Sequence, residues 1–444
     1  MLNDLSSYTC VGHFSRSMAR RSVRGVQFLT RLIGRALRRS RVLQFEAILL
    51  LRRHVGNRAM QFDQLFENTS SQAPVVGLTH GFYRYPARFS PQFARSAIEA
   101  FTEPMDTVMD PFMGGGTSAV EALGLGRRFL GSDLNSLSVF VTRTKTTPLT
   151  LRDEQDIRRW AGDLAKNGRI RSWEVLKDEW AAYQVNTPWW LRRAIDHALA
   201  RADELLNERQ QDFARSVILK AAQWALDCKD AIPSSKRFFA AISDNAELML
   251  LAMREFRSRM LIAFKEPQSK VCRFRRLVHC DAATIADQQS IPQDWLPPRL
   301  ILTSPPYFGV HILYHRWQVQ GRRETPAPFW IAASPDGMGA SFYTFGDRQR
   351  RSMETYLTRL RACFASIVKI MDKRSTVVQL VAFSDPSTQL ELYLHAMEAA
   401  GLREAGVVQP ACRFWRTVPN RKWYAKLRGG APTSRELLLI HNRA

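Results

Sequence analysis

Thr107-Val108-Met109-Asp110-Pro111-Phe112-Met113-Gly114-Gly115-Gly116-Thr117 decides the fold. Residues 107–109 read as a short apolar strand. Glycines at 114, 115 and 116 remove side chains, so the backbone can approach a ligand closely. Thr117 opens a helical pattern through Val120, Ala122 and Leu123 that ends near Gly124 and Gly126. Strand, glycine loop and helix together make a nucleotide-type site at a helix N-terminus. A second strand, Arg128–Asp133, follows and ends on an acid 23 residues beyond Asp110. An acid at about that distance is where dinucleotide folds bind ribose hydroxyls. The glycine spacing is not GxGxxG, which argues against a nicotinamide dinucleotide.

Further along, Leu300-Ile301-Leu302 leads into Thr303-Ser304-Pro305-Pro306-Tyr307. The apolar run reads as a buried strand that the two prolines end abruptly. A Ser-Pro-Pro-Tyr corner there sets a hydroxyl, rigid carbonyls and an exposed aromatic ring on one lip. That lip suits a flat heterocycle with an amino group: the ring stacks on its face and the oxygens accept from its NH2. Taken alone, the corner reads equally as a structural turn.

Together the two stretches resemble the amino-group DNA methyltransferases, which methylate exocyclic nitrogens of cytosine or adenine. That family pairs an Asp-Pro-Phe-x-Gly-x-Gly-Thr loop for S-adenosylmethionine with an (Asp/Asn/Ser)-Pro-Pro-(Tyr/Phe/Trp) catalytic corner. Both are intact here, and the resemblance covers 80–145 and 275–440. It implies a cofactor site built from Asp110, Pro111, Phe112, Gly114, Gly116 and Thr117, with Asp133 and Asn135 beyond the second strand. It implies Ser304, Pro305, Pro306 and Tyr307 as the catalytic residues, and no metal. The stretch His80-Gly81-Phe82-Tyr83-Arg84-Tyr85-Pro86-Ala87-Arg88-Phe89 looks like the family segment that holds the cofactor's methionine end. Arg88 would pair with its carboxylate and Phe89 would pack against it; a packed surface turn is the other reading. Asp281 sits where the family contacts the cofactor's adenine, and a helix cap accounts for it as well. Asp133-Leu134-Asn135-Ser136 departs from the family's Asp-x-Asn-Pro by the missing proline.

The fold implied is α/β: a Rossmann-like methyltransferase with a mostly parallel seven-stranded sheet and a large helical insertion. The serine form of the corner is the one most associated with cytosine-N4 enzymes. The implied function is site-specific methylation of the exocyclic N4 of a flipped cytosine. An adenine-N6 DNA enzyme and a transfer-RNA guanine-N2 enzyme are alternatives. So is a non-enzymatic nucleic-acid-binding protein on a degenerate methyltransferase fold. Implied partners are double-stranded DNA and a cognate restriction endonuclease, without a membrane. The implied location is the cytoplasm of a prokaryotic cell, with the nucleoid.

Composition agrees with a polyanion ligand. The 444 residues carry a formal charge of +23, an excess that attracts nucleic acid first and anionic membrane second. Residues 1–60 hold twelve arginines, no lysine, and only Asp4 and Glu46 as acids. That arm, placed in a basic extension over 1–75, reads as a DNA-contacting helix, as a poorly ordered extension, or as a transit-like segment. The cofactor part is expected at 76–150 and the catalytic part at 269–444. Between them, 151–268 carries helical patterns only, far longer than an ordinary connection of about 2–6 residues. It reads as a target-recognition insertion or as a purely structural or dimerisation bundle. Six scattered cysteines with no CxxC pair read as reduced thiols. His311 and His315 are four apart and lack a third ligand. Tyr314, Arg316, Trp317, Arg322 and Arg323 after the corner suit contact with an extruded base and its phosphates.

Overall fold

The structure, a computed structural model, describes residues 61–71, 75–85, 88, 90–167, 178–308, 316–321, 323–335, 345, 353–383, 385–405, 413–418 and 434–444. The glycine-loop strand, β1 (Thr107–Asp110), is buried at every residue. It pairs in parallel with β2 (Arg128–Asp133) on one side and with β4 (Leu300–Thr303) on the other. β2 pairs in parallel with β3 (Arg275–His279), and β4 with β7 (Thr376–Ala382). β10 (Ser434–Arg443) lies antiparallel on β7, and its far edge is shared by β9 (Trp415–Val418) and β8 (Leu402–Glu404). The sheet path is β3-β2-β1-β4-β7-β10-β8, seven strands, with β9 as an eighth beside β10. β5 (Trp317–Val319) and β6 (Arg323–Thr325) form a separate antiparallel pair.

Continuous apolar runs make these strands because both faces of the sheet are covered. Successive residues point to opposite faces, so each strand feeds two cores. Val108, Leu300, Leu302, Val378, Leu380, Leu438 and Ile440 face one core. Met109, Ile301, Val377, Val381, Leu437 and Leu439 face the other. The second core is closed by α8 (Met353–Lys369) and α9 (Pro386–Ala399). On α8, Tyr356, Leu360, Phe364 and Ile367 face inward, the amphipathic stripe its sequence predicts.

The first core is closed by α1 (Pro91–Phe101), α2 (Thr117–Gly124) and α3 (Ser136–Lys145), and by the whole insertion. The insertion is helical, as its periodicity predicts: α4 (Leu151–Asn167), α5 (Trp189–Asp203), α6 (Glu208–Leu226) and the 30-residue α7 (Ser235–Phe264). α4 starts on a reciprocal cap in which Asp153 Oδ2 accepts from the Thr150 N–H and the Asp153 N–H donates to Thr150 Oγ1. α7 packs on α2 and on the turn Leu78–Phe82. A buried carboxylate fastens α4 to α7: Glu154 accepts from Arg254 Nε at 2.6 Å and from Arg257 Nη1 at 2.9 Å. Glu154→Ala should lower stability by about 3 kcal/mol, the low end for removing one partner of a buried ion pair. Denaturant titration with an unchanged midpoint would refute that role.

The boundary expected at residue 75 needs correction. A helical stretch at 61–70 buries Phe62, Leu65, Phe66 and Thr69. Phe62 meets Phe101 edge-on at 5.2 Å, and the Asn68 amide donates to Ser96 Oγ at 2.6 Å. This stretch belongs to the packed domain because its apolar face matches α1. Residues 1–60 lie outside the described residues. No helix among the described residues is long and apolar enough to cross a membrane.

Candidate active site

The two decisive stretches meet because β1 and β4 are neighbours. Asp110 ends β1 and is buried. Its Oδ1 accepts from the Phe112 N–H at 3.2 Å and from Thr303 Oγ1 at 2.8 Å. Its Oδ2 accepts from Ser118 Oγ at 2.5 Å. One carboxylate therefore fastens the glycine loop, α2 and the residue just before Ser304. Burial lifts the Asp110 carboxyl from 3.8 to about 6, against the pull of its Ser118, Thr303 and Phe112 donors. A folded-state value above the unfolded one means this group's stabilising contribution is full below pH 3.8 and is lost as pH rises through about 6. Carbon-detected NMR should find the Asp110 midpoint near 6, and Asp110→Asn should remove that component of the stability profile. A midpoint at the ordinary value would contradict it.

The loop folds tightly against protein. Gly114 and Gly116 have φ of +48° and +72°, left-handed values that favour glycine. A Cβ on Gly115 would stand 2.7 Å from the Tyr85 Cβ, and one on Gly116 would stand 2.6 Å from Thr142 Oγ1. The Pro111 carbonyl accepts from Ser132 Oγ at 3.3 Å. The Phe112 ring meets Phe345 edge-on at 5.7 Å. Thr117 is buried at the start of α2.

Asp133 holds the loop directly. Its Oδ2 accepts from the Gly114 N–H at 2.8 Å and its Oδ1 from the Asn135 N–H at 2.9 Å. Burial pushes its carboxyl upward. A carboxylate has about four acceptor positions, so these two bonds do not exhaust it.

Asn135 is a correction. It is fully buried, its Oδ1 caps α3 by accepting from the Leu137 N–H at 3.0 Å, and its amide donates to Tyr85 Oη at 3.2 Å. Both polar ends are spent on protein, so it supports the site from behind. Asp281 caps the turn Ala282–Asp287 through the Ala283 N–H at 2.9 Å and meets Arg359 Nη1 at 3.4 Å. Of its two readings, the cap is the one this geometry displays. Arg88 Nη1 donates to the His80 and Tyr83 carbonyls at 3.1 and 3.3 Å. Phe89, His311, His315, Tyr314 and Arg322 lie outside the described residues. No group of three metal-ligating side chains occurs among the described residues.

At the corner, Ser304 Oγ lies 2.7 Å from Tyr307 Oη and donates to the Leu380 carbonyl at 3.0 Å. Tyr307 Oη reaches the same carbonyl and Glu436 Oε1, each at 3.1 Å. Glu436 is itself buried and chelated by Arg416, whose Nε donates at 2.6 Å. The exposed ring expected of Tyr307 is a second correction: the residue is 7% exposed, because its phenol is drawn inward to Glu436 on β10. The half-buried ring at the corner is Phe308, edge-on to Tyr356 at 5.4 Å. Tyr356 Oη occupies the Pro306 carbonyl at 2.8 Å. No described residue donates a hydrogen bond to the Pro305 carbonyl.

Trp317 is a third correction. It is buried, with Nε1 donating to Tyr83 Oη at 3.1 Å, so it is core and not a surface contact. Sequence reasoning also missed Glu436, Tyr85 and Lys145. An acid opening the apolar run 437–440 was a usable signal for Glu436; Tyr85 and Lys145 carried none.

A family model for N6/N4 methyltransferases, described as DNA methylase, matches residues 52–139. The Type II methyltransferase M.MvaI of Kocuria varians is 30% identical over 165 residues, 35% of this chain and 34% of that protein. Over these segments the chain is similar to the amino-group DNA methyltransferases. The Type II methyltransferase M.MjaII of Methanocaldococcus jannaschii is 29% identical over 100 residues, 22% of this chain and 18% of that one. The chain thus aligns with about a third or less of each of these relatives' length. Among solved structures, TrmN from Thermus thermophilus overlays with a TM-score of 0.31 at 10% identity, over 80% of this chain and 49% of that one. That likeness is too low to argue from.

The family's methyl donor is S-adenosylmethionine, and the residues around the glycine loop fit it. Thr142 Oγ1 is buried beside Gly116 without a hydrogen-bond partner. Asp133 keeps acceptor capacity at the loop's edge.

Proposed function

We propose that the protein transfers a methyl group from S-adenosylmethionine to the exocyclic N4 of a flipped cytosine in double-stranded DNA, as the modification enzyme of a restriction-modification pair. The observation that carries this reading is the 2.8 Å bond from Thr303 to Asp110, which sets the Ser304-Pro305-Pro306-Tyr307 corner beside the glycine loop. S-adenosylmethionine supplies an electrophilic methyl group. The protein's task is to expose the amino lone pair, which the cytosine ring otherwise withdraws.

Two acceptors do this. Ser304 commits its proton to the Leu380 carbonyl, so its oxygen is left to accept. The Pro305 carbonyl accepts the other amino proton. Proline geometry holds the carbonyl, and the Leu380 carbonyl and Tyr307, itself held by Glu436, hold Ser304, so little reorganisation accompanies the chemistry. Tyr307 fixes Ser304 from within, and Phe308 is the ring offered to the base. Arg88 pairs with the carboxylate of the donor, and Asp133 accepts from its ribose. Serine in place of Asp or Asn at 304 supports cytosine over adenine.

The test is direct. DNA incubated with the protein and S-adenosylmethionine is digested to nucleosides and analysed by mass spectrometry. N4-methylcytosine is expected. N6-methyladenine would replace the cytosine assignment, methylation of RNA alone would replace the DNA assignment, and no methylated nucleoside would remove the enzymatic one.

A further inference from the structure

Three cations converge behind the glycine loop. Lys145, the last residue of α3, is 1% exposed, and its Nζ donates to the Gly115 carbonyl at 2.7 Å. Lys220, on the inserted helix α6, donates from Nζ to the Gly81 carbonyl at 2.8 Å. Arg88 holds the next two carbonyls of that turn, His80 and Tyr83. Among the described residues none of the three has a carboxylate partner; their hydrogen bonds go to neutral carbonyls. The nearby acid, Glu121, is already matched by Arg95 at 2.8 Å and by His80 at 2.8 Å. Burial pulls the Lys145 ammonium well down, and Arg88 and Lys220 push it further. A carbonyl satisfies an ammonium's direction but not its charge, and a buried cation is costly until an anion is brought to it. One turn earlier on α3, the orphaned Thr142 hydroxyl faces the same loop.

We propose that Lys145 and Lys220, one from α3 and one from the insertion, complete with Arg88 a seat for the carboxylate of the methyl donor's amino-acid end. This rests on the methyltransferase reading above. It gives the insertion a part in cofactor binding, distinct from any contact with the target.

The experiment is calorimetry on the full chain with two probes. S-adenosylhomocysteine carries the amino-acid end; 5′-methylthioadenosine lacks it. Lys220→Met and Lys145→Met should each weaken S-adenosylhomocysteine by about ten- to a hundred-fold, the range for a hydrogen bond to a charged group. Both should leave 5′-methylthioadenosine unchanged, and Lys220→Arg should restore most of the loss. Lys220 is only half-buried, so its variants report even where Lys145→Met fails to fold. Unchanged S-adenosylhomocysteine affinity in Lys220→Met, or equal losses for both probes, would overturn the seat. A wild-type chain that binds neither probe would instead remove the methyl-donor reading and the seat with it.

Discussion

Ser304→Ala should slow single-turnover methyl transfer by about 10²- to 10³-fold, the usual cost of removing one preorganised group that acts on developing charge. The hydrogen bond from the amino group strengthens only as the nitrogen pyramidalises, so DNA affinity should stay near wild type. The fold should tolerate the change. The Leu380 carbonyl keeps Tyr307 as a donor when Ser304 is gone. Wild-type transfer rates in this variant would make the corner a structural turn.

Glu436→Ala should be the most damaging change to stability, by about 3–5 kcal/mol. It strips the carboxylate from Arg416, whose side chain is 12% exposed, and leaves that guanidinium buried and uncompensated. It also removes the anchor that draws the Tyr307 phenol inward. Methyl transfer should fall at temperatures where the variant is still folded, because Ser304 loses a fixed neighbour. Denaturant unfolding followed by fluorescence gives the first effect and single-turnover assays the second. An unchanged unfolding midpoint would show that β9 and β10 do not need this pair.

The sheet was legible in the sequence because its strands are short apolar runs with prolines, glycines or acids at their ends. Such runs place residues without knowledge of partners. The insertion's helices were legible for the same reason, but helical periodicity says which face is apolar and not what covers it. The corner's inward tyrosine depended on Glu436, 129 residues away, and the burial of Trp317 on Tyr83, 234 residues away. No local rule carries such distances. Asn135 was a nearer miss. Asn-Ser-Leu opening a helical pattern is a cap signature, and the family's cofactor pattern drew attention from it.

The insertion shares one core with a face of the sheet, through α7 against α2 and Glu154 against Arg254 and Arg257. A lobe attached by a hinge would melt separately; one that shares a core with the sheet should melt with it. Heating should give one cooperative transition for residues 151–268 and the sheet together. Such a lobe is expected to meet a ligand as a fixed wall and not as a closing jaw. A chain trimmed of it would bare that face of its own sheet and should lose solubility.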